Sequence, residues 1–518
     1  MCAHSLSIRR QTWAYRLACA VLLTAGLLLR LHPITINRFH PDEALYAYWG
    51  LQIATGADPM LEGYPVDKPP AFPYLLALVF RLFGASELTA RLPSLIASTV
   101  SLALVERIAR RAYGKEAALL ALGLLALSPF DISFAVTAFT DPLMTAWVLA
   151  GLAAVFAGRP MLAGAFAGAA FATKQQGIFF LPLLVLAGLW RERFSPGQRA
   201  EAPAKGWGRL QRAWWAMGWA GFLLAFAPAL VWDLVRVRRP EYFTQSLISY
   251  GGLALAPWPE WGERAEDWAG WLARFWGAPA LNVLAGLALA WLLWDDLRAW
   301  RSGRLSAEAA FDLITAGFGL CFLLGHWLVR FNTWDRYLLG LVPLAAVLVG
   351  RAFIHVLRRW RIEERLPAAL GILALITLLV LSPAGQAARG AYPAGGDHGA
   401  YWGIDQVAEY MRGHVPANAV IYHHWLGWHY LYYLYSAPYA FQWYTSPEEV
   451  VEKVRAWSDV PHWIVFPMCC QWEPVAEALK AAGLSLQERF QVVRPDGQVT
   501  FRVYELHAGA EAAGQPAR

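Results

Sequence analysis

The chain has 518 residues, 57% of them hydrophobic and 16% charged, against roughly 45 to 50% and about 25% in soluble globular proteins. A mean hydropathy of +0.35 and repeated apolar runs of about 17 to 22 residues fit a bilayer core, which takes about 20, and exclude a water-soluble, disordered or disulfide-scaffold protein. The net charge of +6 and pI near 9.0 do not mark a nucleic-acid binder, because Lys and Arg follow the loops between apolar runs.

Arg9, Arg10 and Arg16 precede the apolar run Leu17 to Leu29. Basic residues within about 15 to 20 positions of a span mark the cytoplasmic side, so the N-terminus is expected inside. No small-residue cleavage site follows, and the run reads as a first membrane helix. Residues 38 to 91 then face outward. Spans at Leu92–Val105, Ala117–Leu127, Pro142–Phe156, Met161–Ala172 and Ile178–Leu189 place Arg107, Arg110, Arg111, Lys115 and Arg159 inside. The most basic stretch, 191–212 with Arg193, Arg199, Lys205 and Arg209, also falls inside. Further spans at Ala213–Trp232, Ala278–Trp294, one ending near Val329, Tyr337–Val349 and Leu366–Ser382 bring the count to about eleven transmembrane helices. An odd count leaves the remainder outside. The expected organisation is a transmembrane part, 1–383, whose first external loop, 37–91, carries the site, and an external domain, 384–518.

In that C-terminal part the apolar runs shorten. A helix at Gly403–Arg412, a strand at Ala419–His423, a helix at Pro447–Ala456, a strand at Trp463–Pro467, a helix at Glu473–Ala482 and a hairpin around Pro495, Asp496 and Gly497 read as a small α/β domain.

Ionisable residues near membrane depth are costly and therefore informative. Asp42, Glu43, Asp67, Lys68, Asp131, Asp141, Lys174, Arg330, Asp335 and Arg336 gather on the side assigned as external. Local chemistry leaves two readings open for several of them. Asp42 suits an N-cap with Glu43 in the first turn of a short interfacial helix, Lys68 before Pro69-Pro70 suits a snorkelling side chain ahead of a Pro-initiated helix, and Asp141 before Pro142 suits an N-cap. Each also suits a polar site at the membrane face.

Taken together, Asp42-Glu43 with Tyr46, Lys68-Pro69-Pro70, Ala90-Arg91-Leu92-Pro93-Ser94, Thr140-Asp141-Pro142, Thr173-Lys174 and Asp335-Arg336-Tyr337-Leu338-Leu339 with Pro343 resemble the polyprenol-phosphate-dependent glycosyltransferases of the GT-C membrane fold. The nearest group holds the protein O-mannosyltransferases and the lipid A aminoarabinose transferase. The resemblance is dense over about residues 30 to 190 and fades in the C-terminal domain. It implies a plasma-membrane enzyme that passes a sugar from a polyprenyl-phosphate donor to a protein, lipid or glycan acceptor at the outer face, with inversion. Such a step needs a base for the acceptor proton and cations for the departing phosphate. The resemblance makes Asp42 the base, and Asp141, the second catalytic candidate, would orient the acceptor or Lys68. It places Glu43, Tyr46, Asp67, Lys68, Lys174, Arg336 and Tyr337 in substrate binding. Leu45 stands where the aminoarabinose branch carries a basic residue, and Lys68 where the protein mannosyltransferase branch carries His.

No metal or cofactor is implied, and a divalent ion is left open. His423, His424 and His429 match no zinc spacing, and the adjacent Cys469-Cys470 allows a strained vicinal disulfide, with a pair of free, partly buried thiols as the default reading. A transporter or flippase of lipid-linked sugars would use the same cations without catalysis. No internal repeat of the kind common in transporters is visible, and the charges gather at one interface, which favours the enzyme. A catalytically silent scaffold would have no use for both Asp42 and Lys68.

Overall fold

In the computed structural model, the described residues are 2–194, 207–236, 241–250, 252, 254–362, 365–470 and 472–508, with backbone alone for 2–10, 207–211 and 508. Arg199 and Lys205 of the basic stretch lie outside them. The chain divides into two compact units, one of residues 1–34 and 52–395, the other of residues 35–51 and 396–518.

The first unit is helical. Its elements are α1 (Cys2–Leu31), the end of α2 (Pro41–Thr55), α3 (Ala71–Phe83), α4 (Glu87–Tyr113), α5 (Lys115–Ala126), α6 (Pro129–Ala135), α7 (Thr140–Phe156), α8 (Pro160–Thr173), α9 (Leu181–Phe194) and α10 (Trp207–Val235). There follow α11 (Tyr242–Ser249), α12 (Trp261–Ala273), α13 (Pro279–Arg301), α14 (Ala307–Leu328), α15 (Val342–Arg359) and α16 (Arg365–Ala388). Among the described residues seven helices are long and apolar enough to cross a bilayer, or eight if α5 and α6, bent by 59°, form one span. The expected spans at Pro142–Phe156 and Met161–Ala172 are α7 and α8, of 17 and 14 residues, shorter than the roughly 20 that a bilayer core takes. Helix α3 lies inside the expected external loop, starting straight after Pro69-Pro70.

Small residues set the closest packing. A Cβ on Gly164 or Gly168 of α8 would fall 1.7 Å from the Gly218 carbonyl or 2.4 Å from that of Phe222 on α10, so only glycine lets these backbones touch. That contact fixes the end of α8, where Lys174 sits. At the bend between α5 and α6, the fully buried Arg30 donates to the carbonyls of Leu125 and Ala126 and pairs with Asp131 at 2.6 Å, with Ser98 completing the cluster. Helix-end carbonyls that lack intrahelical donors are satisfied there. Asp131 is thus a partner of Arg30 and not a member of a shared cluster with Lys68.

The second unit carries a five-stranded mixed sheet of order β2-β1-β3-β5-β4, with β1 Val420–His423, β2 Ala440–Trp443, β3 His462–Pro467, β4 Leu484–Val493 and β5 Val499–Ala508. Strands β2 and β3 flank β1 in parallel, and β3, β5 and β4 run antiparallel. One face packs Ile421, Trp463 and Val465 against α17 (Ile404–His414) and α18 (Gly427–Tyr433). The other packs Tyr422, Ile464 and Phe466 against α19 (Pro447–Ala456) and α20 (Glu473–Ala481). The period-2 alternation along β1 and β3 therefore feeds two cores. The expected elements are present, with α18 and β2 in addition.

Candidate active site

Lys68 follows Asp67 on the stretch leading into α3. It is 4% exposed, pairs with the Asp67 carboxylate at 2.7 Å, and contacts the Tyr250 hydroxyl while lying over that ring at 4.5 Å. This is a buried, partnered ammonium and not a snorkelling one. Tyr250 caps the C-terminal end of α11, and the same helix supplies Ser246, which accepts a 2.8 Å bond from the Gln175 amide. Gln175 also donates to the Asp67 carbonyl, tying the Lys174 turn to the Lys68 stretch.

Asp141 is the second residue of α7, whose N-cap is Phe139, so it does not cap the helix. Its carboxylate, 1% exposed, forms an ion pair with Lys174 from the turn after α8. Burial lowers the Lys174 ammonium to about 8, with Asp141 opposing the shift and Arg336 adding to it. A dry site disfavours the charged form of a base. Lys174 also lies 4.6 Å over the Tyr337 ring. Tyr337 meets Trp334 at 5.7 Å, and Trp334 meets Tyr250, the ring under Lys68, at 6.1 Å, so Lys174 and Lys68 are linked through one row of aromatic rings. The approach of the 3-10 turns Gln175–Phe180 and Asp335–Leu341 depends on Gly340, where a Cβ would come within 2.3 Å of the Phe180 ring.

Arg336 stacks on Trp334 at 4.2 Å and lies 5.1 Å from Phe139. Its neighbour Asp335 accepts from the Arg336 and Gly395 amides at 2.7 and 2.9 Å. Beside these groups is a cavity of about 400 Å³. Lys174, Gln176, Tyr250, His326 and Tyr337 give its polar lining, and Phe171, Ile178, Phe179, Phe243, Leu247 and Phe331 its apolar walls. Phe243 and Phe179 are 51% and 38% exposed. A cleft of about 1100 Å³ lies elsewhere, lined from α13, α14 and α15 by apolar residues with Asn282 and Thr315 and no charged side chain, so it offers nothing to hold an anion.

Asp42, Glu43 and Tyr46 belong to the second unit. The start of α2 is capped by His40 and Glu43: the Glu43 carboxylate accepts from the His40 amide at 2.9 Å, and the His40 ring accepts from the Asp42 amide at 3.2 Å. Glu43 is fully buried and completes a reciprocal cap. Asp42, expected as the N-cap, lies instead inside the first turn of α2 and enters the cap through its backbone amide. Tyr46 is buried against Trp49, ring centroids 5.9 Å apart.

Sequence reasoning passed over Tyr250, Ser246, Gln175, Gln176 and His326. His326, whose Nε2 is 3.2 Å from the Gln176 amide, is an ionisable residue inside a membrane helix and carried a usable signal. Gln175 and Gln176 directly follow the Thr-Lys motif. Tyr250 stands in a loop with no motif. Among the described residues no group of three or more His, Cys, Asp or Glu is arranged to hold a metal ion.

Residues 67–232 match the family of dolichyl-phosphate-mannose-protein mannosyltransferases. An undecaprenyl phosphate-alpha-4-amino-4-deoxy-L-arabinose arabinosyl transferase from Pseudomonas aeruginosa (strain UCBPP-PA14) is 27% identical over 402 residues, 72% of this chain. The match spans 66% of that relative, just under two thirds of its length. Crystal structures of ArnT from Cupriavidus metallidurans, bound to undecaprenyl phosphate and in the apo state, superpose with TM-scores of 0.60 and 0.63 at 16% identity, covering 98% of this chain and 99% of theirs. The chain has the GT-C membrane glycosyltransferase fold. The Archaeoglobus fulgidus oligosaccharyltransferase, in complex with Zn and sulfate, shares this GT-C architecture at a TM-score of 0.56 and 13% identity, over 93% of this chain and 72% of its own. The GT-C resemblance read from the motifs is borne out, as is a multi-pass membrane protein with a small C-terminal sheet domain.

Proposed function

We propose that the chain transfers a sugar from a polyprenyl-phosphate donor to an acceptor at the outer membrane face, with inversion at the anomeric carbon. One observation carries this reading: Lys68, Lys174 and Arg336 each lie over one ring of the aromatic row Tyr250, Tyr337 and Trp334, beside a cavity lined by both polar and apolar side chains. A lipid phosphate combines the two characters, an anion joined to a hydrocarbon chain. The cationic side chains offer charge-assisted donors for the phosphate, and the exposed Phe179 and Phe243 offer apolar contact for the first isoprenoid units.

In the proposed reaction an acceptor oxygen forms the new bond to the anomeric carbon while its proton passes to a carboxylate, the role that the motif resemblance gives to Asp42. The bond from that carbon to the phosphate oxygen breaks, and polyprenyl phosphate departs with the bonding pair. Lys68, Lys174 and Arg336 stabilise the growing phosphate charge, so the leaving group needs no proton. Asp141 holds Lys174 in place for this task. The arabinosyl relative makes a pentose the first donor to test, with Leu45 as the departure that separates this chain from the aminoarabinose pattern.

The test is incubation of the purified protein with a panel of radiolabelled polyprenyl-phosphate sugars, pentoses and hexoses, in the presence of membrane lipids and proteins as acceptors. Release of polyprenyl phosphate with sugar recovered on an acceptor is expected for at least one donor. Absence of release across the panel, with the protein folded and binding polyprenyl phosphate, would overturn the transferase reading.

A further inference from the structure

The aromatic and histidine-rich run from His423 to Tyr435 has no place in the chemistry above. Within the second unit it closes on the segment that carries Asp42. His429 is fully buried, with Nε2 2.8 Å from the Phe39 carbonyl, just ahead of the His40 cap. Because a carbonyl only accepts, Nε2 carries the hydrogen. Burial pushes the imidazole down to about 4, so it stays neutral and holds this tautomer at physiological pH. The ring stacks on Tyr401 at 4.5 Å. Phe39, also fully buried, meets Tyr432 edge-on at 5.1 Å. Beyond Asp42, Tyr48 meets Trp428 and Tyr435 at 6.4 and 6.3 Å, and ahead of it Arg38 pairs with Asp405 of α17 at 3.1 Å.

These anchors lie on both sides of Asp42 in sequence and come from one short helix and its flanks. We propose that His429 is a positioning residue for Asp42: by donating to the Phe39 carbonyl it fixes the first turn of α2 and with it the place of the carboxylate. The proposal rests on the reading of Asp42 as the acceptor base. It gives the C-terminal unit a part in the reaction, as the clamp that holds the base-bearing turn. A base must sit within hydrogen-bond reach of the proton it takes, and a misplacement of about 1 Å can cost about 10²-fold in rate.

The test uses the full-length protein with two substitutions. His429→Phe keeps the ring against Tyr401 and removes the N–H, while His429→Gln returns an N–H. The expected result for His429→Phe is a kcat for sugar transfer lower by about 10- to 100-fold, with donor KM and polyprenyl phosphate binding within about twofold, and His429→Gln recovering most of the loss. Hydrogen exchange of amides 40–46 should rise in the Phe variant. A kcat within about threefold of wild type, a loss that Gln does not relieve, or unchanged exchange at 40–46 would overturn the clamp. Should His429→Phe fail to fold, Arg38→Gln takes its place: faster exchange at 40–46 supports the clamp and unchanged exchange overturns it. Asp42→Asn is assayed alongside. Wild-type turnover in that variant removes the base assignment whatever His429 does, whereas the exchange measurement judges the clamp even if no sugar is transferred.

Discussion

Replacement of Lys68 by Met keeps the length of the side chain and removes its charge. In the structure this ammonium is 4% exposed and touches the Asp67 carboxylate and the Tyr250 hydroxyl. A charge-assisted contact to a phosphate in such a partly desolvated site is worth roughly 1.5 to 3 kcal/mol, or about one to two decades in affinity. The competing account makes Lys68 a counter-ion for Asp67 alone. The two accounts diverge in the double variant Asp67→Asn/Lys68→Met, which removes both charges together. If Lys68 holds phosphate, the double variant stays weak in donor binding. If Lys68 only neutralises Asp67, the second change repairs the first. The assay is titration of the detergent-solubilised protein with polyprenyl phosphate, with Lys115→Met as control, since Lys115 starts α5 and contacts Thr12 at 3.4 Å. Equal weakening by Lys68→Met and Lys115→Met, or recovery of affinity in the double variant, would refute the phosphate role.

Asp42→Asn should leave the protein folded and binding donor lipid while lowering transfer by about 10² to 10⁴, with Glu43→Gln milder because an amide can still complete the cap; turnover within about threefold of wild type at saturating donor would move the base to Asp141. Lys174 titrates near 8, so its charge is present below that pH and lost above it: polyprenyl phosphate affinity should fall between pH 7 and 9.5 by up to about a decade per unit, and Lys174→Arg, which stays charged, should flatten the profile in the same titration. Asp131→Ala strands the buried Arg30 and should cost about 3 to 5 kcal/mol of stability, read as a lowered thermal midpoint, whereas Asp405→Ala, at a half-exposed pair, should cost about 0 to 1. Reporter fusions after Asp67 and after Gly395 should both report an external location, and opposite sides would break the topology on which the outer-face reaction depends.

Several features of the fold were legible in order along the chain because each depends on neighbours a few residues away. Apolar stretches of span length gave the membrane helices, and the helix at Pro447–Ala456 and the strand ending at Pro467 appear where Pro and the 3.6 and 2.0 periods place them. Helix α18 and strand β2 were not legible: the run from Trp425 to Tyr435 is aromatic on every side, which hides a helical period, and β2 is an edge strand with exposed ends. Lys68, Asp141, Lys174 and Arg336 stood out as ionisable residues at span ends, where burial of charge is costly enough to need a reason.

What the sequence left undecided was who pairs with whom. Asp131 and Asp141 look alike as acids beside a helix start, yet one neutralises Arg30 from 101 residues away and the other Lys174 from 33. Tyr250 reaches Lys68 across 182 residues and no local pattern announces it. Those partnerships follow from the glycine contacts of α8 with α10 and of Gly340 with Phe180, and from the 59° bend after α5, which fix the spacing and rotation of whole helices. Hydropathy and periodicity are set by adjacent residues and so can be read along the chain. Ion pairing in a dry interior is set by distances of a few ångströms between elements remote in sequence, and only their packing decides it.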